Sequence, residues 1–291
     1  IVNDAGGINV DGMVLEDVEG RRVTRAANGC ICCSIGDDLQ EAEAVDTVIA
    51  RHEEAGTRVE RIILETSGLA EPAPIVRSVG RLRQDRFKLG IVVTLDACRA
   101  GGENDHLPQY AAQLAAAQSI VITKMDLCDV ESLTCAREHA GSLNPLASTL
   151  AVHDRTERAR SAFSRDAIPA PAAIPAFHAS PTTSNPRIRV ILARWTPTPA
   201  RPTIEEWIEN IVGFCGDRLL RMKGVLAPEG YDRDILINAV RPAFGQPQPV
   251  AKGISEEGLV LIVRDLDEDE LAAFSKGVSP SPPKPVARGV A

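Results

Sequence analysis

The chain has 291 residues, of which 44% are hydrophobic and 25% charged, and its formal net charge is -8. That composition is ordinary for a globular protein of about two domains, and its acidic balance excludes bulk binding to nucleic acid or an anionic membrane surface, which needs clustered cations. No apolar run approaches the roughly 18 residues of a spanning helix, no segment reads as a secretion signal, and seven cysteines, four of them scattered singly, suggest reduced thiols and a cytoplasmic location.

The sequence opens at Ile1, already inside an apolar run, and is therefore expected to be a fragment. Ile1-Val2-Asn3-Asp4 reads as the end of a buried strand that breaks at Ala5-Gly6-Gly7. Val10-Asp11-Gly12 signals a turn, and residues 21–26 a short strand leading into a cysteine cluster. Over 38–54 apolar residues recur at helical spacing (Leu39, Ala42, Val45, Val48, Ile49), with Asp37 or Asp38 as N-cap. The apolar run 59–64 predicts a strand ending in Glu65-Thr66-Ser67-Gly68, and Pro72-Ala73-Pro74 opens a helix, because proline is tolerated in a first turn. Residues 89–95 predict a strand ending at Asp96, 109–118 an alanine-rich helix, and 119–122 a strand ending in Thr123-Lys124-Met125-Asp126. A helix over 130–140 and a short strand over 149–152 complete the series.

Continuous apolar runs separated by helices indicate a doubly wound, mostly parallel α/β sheet covered on both faces. The polar residues gather just past the carboxyl ends of the strands, where such sheets place ligands. This first domain is expected over 1–154, followed by a proline- and alanine-rich linker over 155–186. A second, smaller α+β domain is expected over 187–276. Its strands fall at 188–195, 219–226, 235–240 and 259–263, with a helix opened by the capping box Thr203-Ile204-Glu205-Glu206 and a short helix over 267–274. The tail 277–291, with Pro280, Pro282, Pro283 and Pro285, is expected to be disordered. Trp195 and Trp207 are expected in the core. Arg221 and Lys223 are expected at the surface, as a partner contact or a solvated face, together with the five scattered histidines His52, His106, His139, His153 and His178.

Four groups of residues carry chemistry. Cys30, Cys32 and Cys33 place three thiols within four residues, a soft ligand set that favours zinc, copper(I) or iron–sulfur centres; so close a spacing reaches disulfide geometry only with strain. Thr123-Lys124-Met125-Asp126 matches the guanine-reading pattern N/T-K-x-D. A carboxylate at Asp126 accepts from both the ring N–H and the exocyclic amine of guanine, whereas adenine offers no such donor pair, and the Lys124 stem can lie along the base with its ammonium bracing the loop. The competing reading makes Asp126 a helix cap. Glu65 can hold magnesium through water, and Gly68 lets a backbone N–H approach a γ-phosphate; Asp4 suits magnesium or the attacking water. Asn144-Pro145-Leu146-Ala147 is either a loop closing over the base or an ordinary turn.

Taken together and in this order, these segments resemble the CobW family of P-loop GTPases, which belongs with the metallochaperone GTPases that serve nickel enzymes. The resemblance covers nearly the whole chain, through Ile1-Val2-Asn3-Asp4, Asn28-Gly29-Cys30-Ile31-Cys32-Cys33, Glu65-Thr66-Ser67-Gly68-Leu69-Ala70, Thr123-Lys124-Met125-Asp126 and Leu220-Arg221-Met222-Lys223-Gly224. It implies a GTP-hydrolysing metallochaperone that uses GTP and Mg2+, carries Zn2+ or Co2+ on Cys30, Cys32 and Cys33, and delivers it to a client metalloprotein through the carboxyl-terminal domain. Within it, Asp4 and Glu65 would be catalytic, and Gly68, Thr123, Lys124, Asp126 and Asn144 would bind the nucleotide. The family also brings a link to cobalamin biosynthesis and a homodimer among the assemblies it allows.

The chain departs from that family in three respects. No G-x-x-x-x-G-K-[ST] occurs in it, so the resemblance places the phosphate loop before Ile1. The 291 residues as given are thus expected neither to bind GTP tightly nor to hydrolyse it, while a product with roughly 30–40 further residues, enough for a strand–loop–helix unit, is expected to do both. Ala5 and Gly7 stand where the family has a phenylalanine and an acid, and histidine-rich stretches are missing. Two competitors follow from other classes: a non-catalytic metal-binding adaptor, and a thiol redox protein, since Cys30 and Cys33 formally make C-x-x-C. Cys32 between them weighs against the latter.

Overall fold

The computed structural model describes residues 40–66, 68, 70–80, 89–100, 108–164, 187–195, 198–240, 243–244, 247–253, 257–266, 269–270 and 278–281. The chain divides into two compact units, Ile1–Leu89 and Gly90–Ala291. In the first unit, helix α1 (Gln40–Glu54) packs against α2 (Pro72–Gly80). Val45 and Ile49, one turn apart, are buried on α1, and Ala73 on α2. The strand expected over 59–64 is not formed. Those residues join no ladder and Glu65 makes only an isolated bridge, with Val59, Ile62 and Leu64 half-buried and Ile63 exposed.

The second unit starts with three parallel strands, β1 (Val92–Asp96), β2 (Ser119–Thr123) and β3 (Ser148–Leu150), side by side in that order. Parallel neighbours need crossovers, here made by α3 (Pro108–Ala116) and α4 (Val130–Leu143). Ile120 and Ile122 of β2 are buried with Leu114 of α3 and Ala136, Ala140 and Leu143 of α4. The register pairs Asp96 with Thr123, so the carboxyl ends of β1 and β2 finish level.

The expected linker is helical at its start. Helix α5 (Arg155–Ala162) packs on β2 and β3, capped by Asp154 Oδ1, which accepts from Glu157 N at 2.7 Å. The charged residues of 155–160, expected within the linker, lie on a capped helix whose Ala162 is buried.

An antiparallel sheet of seven strands completes the unit. It comprises β4 (Ile188–Trp195), β5 (Leu219–Leu226), β6 (Asp234–Val240), β7 (Ala243–Phe244), β8 (Gln248–Val250), β9 (Gly258–Arg264) and β10 (Val278–Ser281), in the order β10-β4-β9-β5-β6-β7 with β8 also on β6. Helix α6 (Arg201–Cys215) covers one face with Ile204, Trp207, Ile211 and Cys215. Trp207 is buried there, and Trp195 meets it edge-on with ring centroids 5.0 Å apart. The other face, including Leu192, Leu220, Val260 and Ile262, shares a core with α3, β2 and α4. A parallel sheet with helices plus a separate antiparallel sheet is the architecture expected of an α/β domain followed by an α+β domain.

Four expectations for this second half are corrected. Residues 278–281 of the expected disordered tail form β10, pairing with 192–195 of β4 and covering that edge strand. Helix α6 starts at Arg201, ahead of the Thr203 box, after an Ala200 that offers no side-chain cap. Pro202 is tolerated in that first turn because its missing N–H has no partner to lose, and Arg201 Nε donates to Glu205 Oε1 at 2.6 Å one turn on. Arg221 and Lys223 are not solvated; they are 1% and 8% exposed on β5, the strand between β6 and β9. His139 is likewise buried, stacked on Tyr110 with centroids 5.8 Å apart.

Candidate functional site

The described site is built where β1 and β2 end. Thr123, the last residue of β2, donates its hydroxyl to Leu95 O at 3.2 Å, tying the strand ends together. The chain then turns through Lys124, which adopts the left-handed region with φ 56 and ψ 29. A non-glycine residue there costs of order 1 kcal/mol, and the lysine is held by an ion pair: its Nζ donates to Asp96 Oδ2 at 2.8 Å. Asp96 Oδ1 in turn accepts from Cys98 N at 3.0 Å. The Lys124 hydrogen bond, above all, holds the Asp96 carboxyl below its ordinary pKa, with burial opposing and the Cys98 N–H assisting.

From Lys124 the backbone enters a single 3-10 turn, Met125–Leu127. Met125 is buried and anchors it, while Asp126 and Leu127 face solvent. Among the described residues no group hydrogen-bonds the Asp126 carboxylate. The capping role that competed for it belongs to Asp129, whose Oδ1 accepts from Ser132 N at 2.8 Å at the start of α4. Asp126 is thus an exposed carboxylate on a braced loop, with both oxygens available to a paired donor. Asp96 was visible in the sequence only as a strand-end acid. Its role follows from the register that sets it level with Thr123, which no local pattern encodes.

Asn144 follows the last residue of α4. Its side chain is 1% exposed and turned inward, where Nδ2 donates to Leu114 O at 2.7 Å, Ala117 O at 3.0 Å and Ala115 O at 3.1 Å. Its Oδ1 accepts from Leu146 N at 3.0 Å. Nδ2 thus satisfies carbonyls at the end of α3 and Oδ1 the Leu146 N–H, so every polar atom of the side chain has a partner within the protein.

Glu65 and Gly68 belong to the first unit and are both exposed. A Cβ on Gly68 would meet nothing within 4 Å, which leaves open space beside that backbone. The exposed Glu65 carboxylate is a hard oxygen donor of the kind magnesium takes. Asp4, Cys30, Cys32 and Cys33 lie outside the described residues. Among the described residues no group of three or more His, Cys, Asp or Glu side chains could hold a metal ion, and no helix is long and apolar enough to cross a membrane.

The model of the CobW/HypB/UreG nucleotide-binding domain matches residues 1–151, and that of the cobalamin synthesis protein cobW C-terminal domain matches residues 195–276. The zinc chaperone YjiA of Escherichia coli (strain K12) is 23% identical over 290 residues, which span 96% of this chain and 88% of that protein. The zinc chaperone CobW of Sinorhizobium sp is 31% identical over 171 residues, 49% of this chain and 47% of that protein. A crystal structure of Zn(II)-bound YjiA GTPase from E. coli superposes with a TM-score of 0.63 at 21% identity, covering 80% of this chain and 77% of that one. At that identity the likeness is one of fold.

Proposed function

The chain belongs to the CobW/HypB/UreG family, and on that premise we propose that it is a guanine-nucleotide-dependent metallochaperone. The gene product that contains these residues binds and hydrolyses GTP, carries a divalent ion, zinc or cobalt, on Cys30, Cys32 and Cys33, and passes it to a client metalloprotein docked on the carboxyl-terminal domain. The observation that carries the reading is the loop Thr123-Lys124-Met125-Asp126, with an exposed Asp126 carboxylate beyond a lysine clasped 2.8 Å from Asp96. The names zinc chaperone and GTPase borne by similar proteins support the same reading.

Each residue then has a defined task. Asp126 accepts from the ring N–H and the exocyclic amine of guanine, and the Lys124 stem lines the base while its ammonium stays on Asp96. Asp4 orients the attacking water, and Glu65 takes part in holding magnesium through water. Magnesium, when bound, neutralises phosphate charge as the γ-phosphoryl group leaves. The cargo suits thiolates because zinc and cobalt are borderline-soft ions.

Titration of the gene product that contains these 291 residues with guanine and adenine nucleotides tests this. Guanine is expected to win by about 10,000-fold, as for sites built to hydrogen-bond a specific substrate donor, with Asp126→Asn abolishing the preference. Zinc stoichiometry is expected to drop in Cys30→Ser. Equal affinity for both nucleotides would overturn the reading.

A further inference from the structure

Two cysteines that this chemistry leaves unused flank the same loop. Cys98, exposed, lies two residues beyond Asp96; Cys128, half-buried, closes the 3-10 turn. Their sulfurs rest on successive carbonyls of the loop, Cys98 Sγ 3.8 Å from Lys124 O and Cys128 Sγ 3.7 Å from Met125 O. The register of Asp96 with Thr123 and the Lys124–Asp96 clasp hold the two thiol-bearing turns together. Burial first, and then the Cys98 thiol itself, push the Cys128 thiol up.

We propose that Cys98 and Cys128 form an oxidisable dithiol, and that their disulfide, made by reaction with a hydroperoxide, pulls the loop out of its guanine-reading shape. The exposed Cys98 thiolate attacks the peroxide oxygen. The O–O bond breaks, and the products are a sulfenic acid at Cys98 and, after protonation, one water. Cys128 then attacks the sulfenyl sulfur, the S–O bond breaks, and the hydroxyl leaves as a second water with the Cys128 proton. Two thiols and one hydrogen peroxide thus become one disulfide and two waters, sulfur being oxidised and peroxide oxygen reduced.

The mechanical consequence follows from distance. Two sulfurs that rest on successive carbonyls of the loop must close to about 2.05 Å, and both S–H donors to the carbonyls of Lys124 and Met125 are lost. Lys124 already occupies a left-handed conformation and Asp126 follows two residues later, so the closure is taken up in the segment that presents the carboxylate. The effect on nucleotide rests on the function proposed above; the disulfide does not.

The test is hydrogen peroxide treatment of the full, zinc-loaded chain, followed by non-reducing peptide mapping and titration with a guanine nucleotide. The expected result is a Cys98–Cys128 linked peptide pair and about tenfold weaker binding, reversed by dithiothreitol. Cys98→Ser should keep its affinity after peroxide. Cys135→Ser, which removes an exposed thiol on α4, should still form the linkage. Absence of that linkage in the wild-type protein, or an equal peroxide-induced loss of affinity in Cys98→Ser, would overturn the proposal. A reduced protein that binds no guanine nucleotide would instead sink the proposed function, with the peptide map still deciding the dithiol.

Discussion

Lys124 Nζ lies 2.8 Å from Asp96 Oδ2, joining the residue that ends β1 to the residue that follows β2. The side chains are 56% and 22% exposed, so the pair contributes at most about 1 kcal/mol to folding. What it fixes is position: a left-handed lysine that would otherwise relax is held with Asp126 two residues further on. Asp96→Asn is therefore expected to change unfolding free energy by less than about 1 kcal/mol while weakening guanine-nucleotide binding roughly 5- to 10-fold. Urea unfolding and nucleotide titration of the same preparation separate the two. A loss of stability with unchanged affinity would mark the pair as purely structural.

Asn144 makes the opposite prediction. It sits at the end of α4, and its amide answers three carbonyls at the end of α3. Asn144→Ala leaves those buried acceptors without their donor and should cost about 2–4 kcal/mol, since each unsatisfied buried group costs roughly 1–3 kcal/mol. Asn144→Asp should be worse, because a carboxylate would face three carbonyl oxygens. Measured in urea, a loss below about 1 kcal/mol would mean that water replaces the amide.

These two residues show what the sequence could and could not convey. The loop around Lys124 and Asp126 was legible because its chemistry is local: a strand, then a threonine, lysine and aspartate at fixed spacing. Asn144 was not, because an asparagine before a proline reads equally as a turn, and its real partners lie 27 to 30 residues back. Helices α2, α3 and α4 and strands β2, β5, β6 and β9 followed from apolar periodicity and from proline at a helix start. The segment 59–64 has the same composition as a strand yet joins no ladder. Ser279 and Pro280 were misread for the converse reason, since proline is tolerated on an edge strand, which β10 is.

Lys223 carries a pH prediction. Burial first, and then Arg221 beside it, lower its pKa from 10.5 to about 8. Below pH 8 both folded and unfolded chains hold the proton, and the cost of burying the charge is paid in full. Between about 8 and 10.5 the unfolded chain keeps a proton that the folded one sheds, so this residue's contribution to stability rises with pH through that window. Lys223→Met removes the penalty and is expected to stabilise the protein at pH 7 by roughly 2–4 kcal/mol, a gain that shrinks as pH climbs towards 10. Thermal unfolding at pH 7 and pH 9.5 checks it; a Met variant less stable than wild type at pH 7 would show that the ammonium is solvated.

Gly224 on β5 lies against the backbone of Gly258 and Leu259 on β9. A Cβ there would run into the carbonyl oxygen of Gly258 and stand 2.8 Å from Leu259 Cα. Both obstacles are backbone, and β5 is hydrogen-bonded to β6 on one side and β9 on the other, so neither strand can withdraw without opening a ladder. Gly224→Ala is therefore expected to cost about 3 kcal/mol or more, at the top of the range for overpacking a core. At Gly258 the obstacles are softer, with Leu192 Cδ1 at 3.1 Å and Ala193 O at 3.2 Å, but φ is 151. Gly258→Ala should accordingly be destabilising through backbone strain as well as contact. If urea unfolding found Gly224→Ala within about 1 kcal/mol of wild type, the two strands would have to separate more readily than their pairing in the middle of this sheet allows.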